Sequence, residues 1–192
     1  MARTPSQMIP LGTPLPRFEL PDAHEAMHAS ETLTCEHGLL VIFLCNHCPF
    51  VVHVADELGR LGADYVDRGI GIVGINSNDF NAYPDDAPPH MVTFAKRHAI
   101  TYPYLIDECQ SVAAQFQAAC TPDFFLYNAE GTLVYRGQLD GSRPGNDVPV
   151  TGCDLRAAMD ALCEGHPIPA DQTPSMGCNI KWRAQAGSCS NQ

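Results

Sequence analysis

Residues 39–61 read LLVIFLCNHCPFVVHVADELGRL. Leu39–Leu44 is an unbroken apolar run, as expected of a strand buried on both faces. It runs directly into Cys45-Asn46-His47-Cys48-Pro49. Beyond Pro49 the apolar residues fall at 51, 54, 55, 58, 61 and 65, the spacing of one face of a helix. Two thiols, a histidine and a proline therefore occupy the point where a strand turns into a helix. Proline is well tolerated at the first helical residue, where its missing N–H would have no partner anyway. If Pro49 holds that place, Cys48 is the N-cap, and its sulfur faces the unpaired amides and the positive end of the helix dipole. Both favour thiolate over thiol. His47, next in sequence, adds to this if it is charged, or is otherwise an exposed turn residue. Cys45, three residues earlier, is near enough to close a disulfide in most strand-to-helix turns.

Working outward, 70-IGIVGI-75 is a second buried strand, and Gly69 closes the helix before it. Strand, helix and strand within about 35 residues predict a right-handed βαβ unit with a parallel pair. Upstream, FELPDAHEAMHASETL reads as a loose hairpin. Downstream, Met91, Phe94, Ala95 and His98 mark a second helix, 102-YPYLID-107 a strand, and Val112, Ala113 and Phe116 a third helix. Next come 123-DFFLYN-128 and 132-TLVYRG-137, joined by a short turn as a hairpin. A last helix carries Leu155, Ala158, Met159 and Leu162, with Thr151 and Asp154 spaced as a capping box and Gly165 and Pro167 at its end. The order predicts an α/β chain with the thioredoxin fold: a central mixed sheet flanked by helices, with an N-terminal hairpin and an inserted helix and strand. The expected division is an extended lead-in over 1–17, a redox domain over 18–165, and a C-terminal tail over 166–192, little periodic and laid on the surface.

The chain has 192 residues, 45% of them apolar and 17% charged, with a net charge of −11. That is an ordinary globular composition. An acidic chain without a basic run lacks the footprint of a nucleic-acid binder and would be repelled by anionic lipid. No apolar run approaches the roughly 18 residues that span a bilayer. The Pro-rich N-terminus has no apolar core of a secretory signal, so a cytoplasmic location is expected. There thiols stay reduced, and a close cysteine pair is more often catalytic or metal-binding than a structural link. The nine cysteines lie at 35, 45, 48, 109, 120, 153, 163, 178 and 189. Cys35, Cys153 and Cys163 are expected to be small buried hydrophobes. His53, Asp56, Glu57 and Arg60 read as a solvated stripe of the helix.

The motifs CNHCPFV, SNDFNAYPDDAPP, CTPDFFLYN and YRGQLD, with PSMGCNIKW in the tail, resemble the alkyl hydroperoxide reductase/thiol-specific antioxidant (redoxin) branch of the thioredoxin-like superfamily. The resemblance spans about residues 10–183 and extends to thioredoxin-like proteins described as thiol–disulfide isomerases or thioredoxins. It implies an antioxidant or redox role, with Cys48 and Cys45 as the catalytic dithiol. It also implies a cis Thr121–Pro122 peptide that, with His47, positions a substrate against the thiols. No organic cofactor and no metal are implied. The expected partners are a disulfide-containing protein or small thiol and a reducing thiol system.

Two departures from the family pattern stand out. Counting from Phe43, the usual place of the first catalytic cysteine is Cys48, but the second is Val51, so the pair is shifted upstream. Peroxidases of the family carry Pro-x-x-x-Thr-x-x-Cys, whereas here Cys45 and Val41 precede Cys48 at those places. This disfavours a peroxiredoxin-like peroxidase, which remains an alternative beside a Cu- or Zn-binding module. Cys48-Pro49 echoes the loop of thioredoxin-fold copper chaperones, but with one residue fewer and no distal histidine. His53, five residues on, lies about 140° around the helix. A tail folded back through Ile180 and Trp182 would either bury Cys178 as packing or bring Cys178, or Cys120, to the junction as a third thiol.

Overall fold

Strand β4 (Gly38–Phe43) is buried along its whole length and is the centre from which the rest is laid down. The computed structural model describes residues 3–184, so Cys189 and the end of the expected tail lie outside the described residues. After β4 come α2 (Pro49–Tyr65), a 3₁₀ turn (Val66–Arg68) and β5 (Ile70–Asn76). Gly69, at φ +74°, closes the helix in the left-handed region, as glycine does at helix ends. β4 and β5 pair in parallel, Leu40 beside Ile72 and Ile42 beside Gly74. β6 (Tyr104–Ile106) adds to β5 in parallel; β8 (Asp123–Asn128) and β9 (Leu133–Tyr135) extend the other side antiparallel. The sheet order is β6-β5-β4-β8-β9.

Alternation along β4 builds two cores. Leu40, Ile42 and Leu44 face α2, α3 (Pro88–Arg97) and α5 (Cys153–Cys163), meeting Val51, Leu58, Met91, Leu155 and Met159. Leu39, Val41 and Phe43 face the other way, onto Phe18, Phe125, Tyr127 and Phe116 of α4 (Ser111–Phe116). Each such side chain contributes about 1.5–3 kcal/mol on burial, and the two layers clamp β4 in register. The hairpin expected near the N-terminus is β2 (Glu19–Pro21) with β3 (Met27–Ala29), followed by one helical turn, α1 (Ser30–Leu33).

The two chain ends differ from their reading as lead-in and aperiodic tail. β10 (Met176–Asn179) lies between β1 (Arg3–Pro5) and β7 (Cys120–Thr121), antiparallel to both. Strands of two to four residues show no readable alternation, and their partners lie far apart in sequence, Arg3 opposite Cys178 and Thr121 opposite Cys178. Gly177 permits this approach, since a Cβ there would sit 2.1 Å from the Thr121 carbonyl oxygen.

The cap of α5 also differs. Gly152 is the N-cap, at φ +68°. The Asp140 carboxylate accepts the amides of Thr151 and Gly152 at 2.7 and 2.6 Å. Asp154 instead accepts from Gln138. A carboxylate twelve residues upstream does what the local capping box was expected to do.

Candidate active site

β4 delivers Cys45 and α2 begins at Cys48, which is the N-cap with Pro49 at the first helical position. Both cysteines are buried. What shapes the turn between them is Asp86, fully buried at the end of the SNDFNAYPDD loop. One carboxylate oxygen accepts the amides of Asn46 and His47 at 2.8 and 3.3 Å. The other accepts the Asn78 side-chain amide at 2.8 Å and lies 2.7 Å from His47 Nδ1. Asn76 donates to the Asp86 carbonyl, fixing the loop to the end of β5. The His47 ring, held by Asp86, stacks on Tyr83 with centroids 5.4 Å apart and planes 4° from parallel.

Across the thiols lies the Thr121–Pro122 peptide, which is cis. Thr121 reaches both sulfurs. Its hydroxyl is 3.4 Å from Cys45 Sγ, and its carbonyl accepts from the Cys48 thiol at 3.1 Å. Cys178, opposite Thr121 in β10, packs in the same buried cluster as Cys45 and Cys48.

These contacts divide the thiols electrostatically. Cys48 is lowered to about 5, first because the Cys45 thiol donates to its sulfur; burial opposes this, and Cys178, Thr121 and the Val51 amide in the first helical turn add to the lowering. The helix start contributes through that amide, although the sulfur makes no formal cap hydrogen bond and, when protonated, donates to Thr121 instead. Cys45 is pushed well above the ordinary thiol range by donating to Cys48, by burial, and by the charges of Asp86 and Cys48. Cys178 is pushed up to about 12 by burial and by Cys48. Hydrogen bonding to Asp86 raises His47, against its burial. A single thiolate, on Cys48, is therefore the resting form at neutral pH. We predict that Cys48 alkylates before every other thiol at pH 6–7. Iodoacetamide labelling mapped by mass would assign the fast site, and faster labelling of Cys45 would reverse the order.

Cys45, Cys48, Thr121, Pro122 and His47 thus converge at one end of the central sheet. His47 is turned toward Asp86 and Tyr83 and makes no direct bond to Cys48 among the described contacts. The Cys120 thiol donates to the Pro122 carbonyl and is pushed far above its ordinary range by burial, then by the charges of Asp123, Cys48 and Cys178. Cys35 and Cys153 are exposed and Cys163 half-buried, not fully buried: Cys35 lies in the loop between α1 and β4, and Cys153 and Cys163 are the two end residues of α5. Glu57 also leaves the expected solvated stripe. It is buried and paired with Arg60 and Arg156, each at 2.6 Å. His53 lies beside Phe50 and Pro122 in a shallow recess. Asp86 was not foreseen. Its loop was visible as a motif, but nothing local distinguishes it from the adjacent Asp85. Cys45, His47 and Asp86 also offer three donor atoms within 4.8 Å of one another, a set that fits a borderline or soft cation.

A mixed sheet in this order, with Cys-x-x-Cys at the β4–α2 junction facing a cis proline, is a thioredoxin fold. The chain belongs to the AhpC/TSA family, matched over residues 11–136, within the redoxin branch of the thioredoxin superfamily. An uncharacterized conserved protein from Geobacillus kaustophilus is 47% identical at a TM-score of 0.94, covering 96% of this chain and 98% of its own. A hypothetical protein from Sinorhizobium meliloti is 45% identical at 0.90, covering 95% and 100%. A secreted disulfide oxidoreductase of Mycobacterium tuberculosis shares the fold at 18% identity and a TM-score of 0.58, covering 75% and 95%. No curated protein matches the chain. Family and fold together support a thiol redox role, and no helix among the described residues is long and apolar enough to cross a membrane.

Proposed function

We propose that the protein is a cytoplasmic thiol–disulfide oxidoreductase that cycles between a Cys45/Cys48 dithiol and its disulfide. The observation that carries this reading is the asymmetry of the pair: one sulfur held as thiolate by its neighbour's proton. The Cys48 thiolate attacks one sulfur of a substrate disulfide, and the other sulfur departs as a thiolate and takes up a proton. Forming the mixed disulfide removes the negative charge from Cys48. The repulsion and hydrogen bonding that held the Cys45 proton then disappear, and Cys45 becomes the better nucleophile at that moment. It attacks Cys48 Sγ, closes the Cys45–Cys48 bond and expels the second substrate thiol. Thr121, Pro122 and His47 would bound the place where the substrate chain lies. The substrate would be a disulfide-bonded protein or small thiol, and the electrons would return from another thiol system without an organic cofactor.

The absence of Pro-x-x-x-Thr-x-x-Cys before Cys48 argues against peroxide as the oxidant. The test is a matched comparison under one thiol supply. We predict that disulfide reduction outpaces hydrogen peroxide reduction; a peroxide rate constant typical of dedicated peroxidases would overturn the reading. One observation favours a second reading, a Cu or Zn site on Cys45, His47 and Asp86. Stoichiometric metal in the purified protein would support it, and metal-free protein with full disulfide reductase activity would dismiss it.

A further inference from the structure

Among the described residues, Cys178 is the thiol beyond the Cys-x-x-Cys pair that shares a buried cluster with Cys48. The route is specific. In the β10–β7 pairing Cys178 stands directly opposite Thr121. Thr121 is the residue whose carbonyl accepts from the Cys48 thiol at 3.1 Å and whose hydroxyl lies 3.4 Å from Cys45 Sγ. Gly177 lets β10 approach that carbonyl more closely than any side chain would allow. α2, which Cys48 caps, packs directly against β10. Cys178 is 2% exposed, in the same buried cluster as both other thiols. Cys120, equally buried, donates to the Pro122 carbonyl and is not a member of that cluster.

We propose that Cys178 is a third redox thiol of this site, able to close a Cys48–Cys178 disulfide as an alternative to Cys45–Cys48. The inference rests on Cys48 being the attacking thiol of the reading above. Cys48 is the shared member, with Cys45 approaching from the end of β4 and Cys178 from β10, so only one of the two bonds exists at a time. In the mixed disulfide Cys48–S–S–R, the Cys178 sulfur attacks Cys48 Sγ. The new bond joins Cys48 to Cys178, the bond to R breaks, and R leaves as a thiolate that takes up the Cys178 proton. The substrate disulfide is reduced to two thiols and the protein is oxidised by the same two electrons. Starting from Cys45–Cys48, the same attack moves the disulfide to Cys48–Cys178 and returns Cys45 to the thiol, with no net oxidation. Each of the Cys48 and Cys178 thiols shifts the other's acidity, as close neighbours do. A Cys48–Cys178 disulfide requires their sulfurs to meet at about 2.05 Å.

The third thiol gives the site two exits from one mixed disulfide. The one through Cys178 ties the start of α2 to the strand that joins the chain's two ends, so oxidation there is linked to the β1-β10-β7 sheet.

The test uses the full chain, reduced and then exposed to oxidised glutathione, acid-quenched, alkylated and mapped by mass. In Cys45→Ser, and in Cys45→Ala made alongside it against a folding defect of either, the expected product is a Cys48–Cys178 disulfide with little glutathione retained on Cys48. Adding Cys178→Ser should raise glutathione on Cys48 about tenfold or more, since the remaining resolving thiol is gone. If the single variants retain glutathione on Cys48 and leave Cys178 open to alkylation, the third thiol is ruled out. Wild-type protein run in parallel separates the two ideas. A Cys45–Cys48 disulfide there, without Cys48–Cys178 in the variants, removes only this inference. A wild-type Cys48 that never reacts removes both.

Discussion

Cys48→Ser should lower disulfide reductase activity by about a thousandfold or more, as loss of a covalent nucleophile does elsewhere. That corresponds to about 4 kcal/mol of transition-state stabilisation. The magnitude follows from what the position supplies. Cys48 is held at about 5 by the Cys45 thiol, with Cys178, Thr121 and the Val51 amide assisting. A serine hydroxyl in the same surroundings stays protonated throughout the accessible pH range and is a poor nucleophile toward sulfur. The fold has little reason to change, because the hydroxyl can donate to the Thr121 carbonyl as the thiol does. Cys45→Ser should behave differently: the first attack survives, and the defect lies in releasing the mixed disulfide. Thiolate release from an aromatic disulfide, followed in single and multiple turnovers, distinguishes the two. Retention of about a tenth of wild-type activity by folded Cys48→Ser would place the nucleophile elsewhere.

How much of this could be read from the sequence depended on distance along the chain. The β4–α2 junction was legible because all its signals lie within 27 residues: a run of six apolar residues, a proline that fits only the first turn, and helical spacing as far as residue 65. The N-cap placement of Cys48 follows from these alone, and the cis Thr121–Pro122 peptide from the resemblance. Features built by residues far apart were not legible. β10 is four residues long and acquires its strand character only by lying between β1 and β7. The Glu57 carboxylate belongs by spacing to a wet helix face, but α5 closes over it and supplies Arg156. The turn between the thiols is fixed from β5 and the loop after it, about 40 residues downstream of Asn46. A local reading assigned the acidity of Cys48 to the helix end and His47, whereas the largest contribution comes from the Cys45 thiol.

Asp86→Ala should destabilise the protein by about 3–5 kcal/mol, the usual cost of removing one partner from a buried ion pair and its hydrogen bonds. At about 2–4 °C per kcal/mol for a chain of this length, Tm should fall by about 6–20 °C. The loss is concentrated because one buried carboxylate accepts from Asn46, His47 and Asn78 and also pairs with the His47 ring. Asp86→Asn separates charge from shape, since it keeps an acceptor while removing the anion. Hydrogen bonding to Asp86 raises His47 in the fold, so this group's share of stability is full below its unfolded pKa of about 6.5 and is lost as pH rises through the raised folded value. Asp86 is lowered, by His47 and Asn78 acting against burial, so its share is present above about 3.9 and is lost as pH falls through the folded value. The two overlap between about pH 4 and 6.5. The Tm gap between wild type and Asp86→Asn should be widest there and should narrow above the His47 titration. In the same variant His47 should titrate at or below its ordinary value by NMR. With His47 less readily charged in the variant, and with that ring interacting with the Cys48 thiolate, Cys48 should need a higher pH for half-maximal alkylation. A His47 titration unmoved by Asp86→Asn would show that the carboxylate braces the loop without setting its charge.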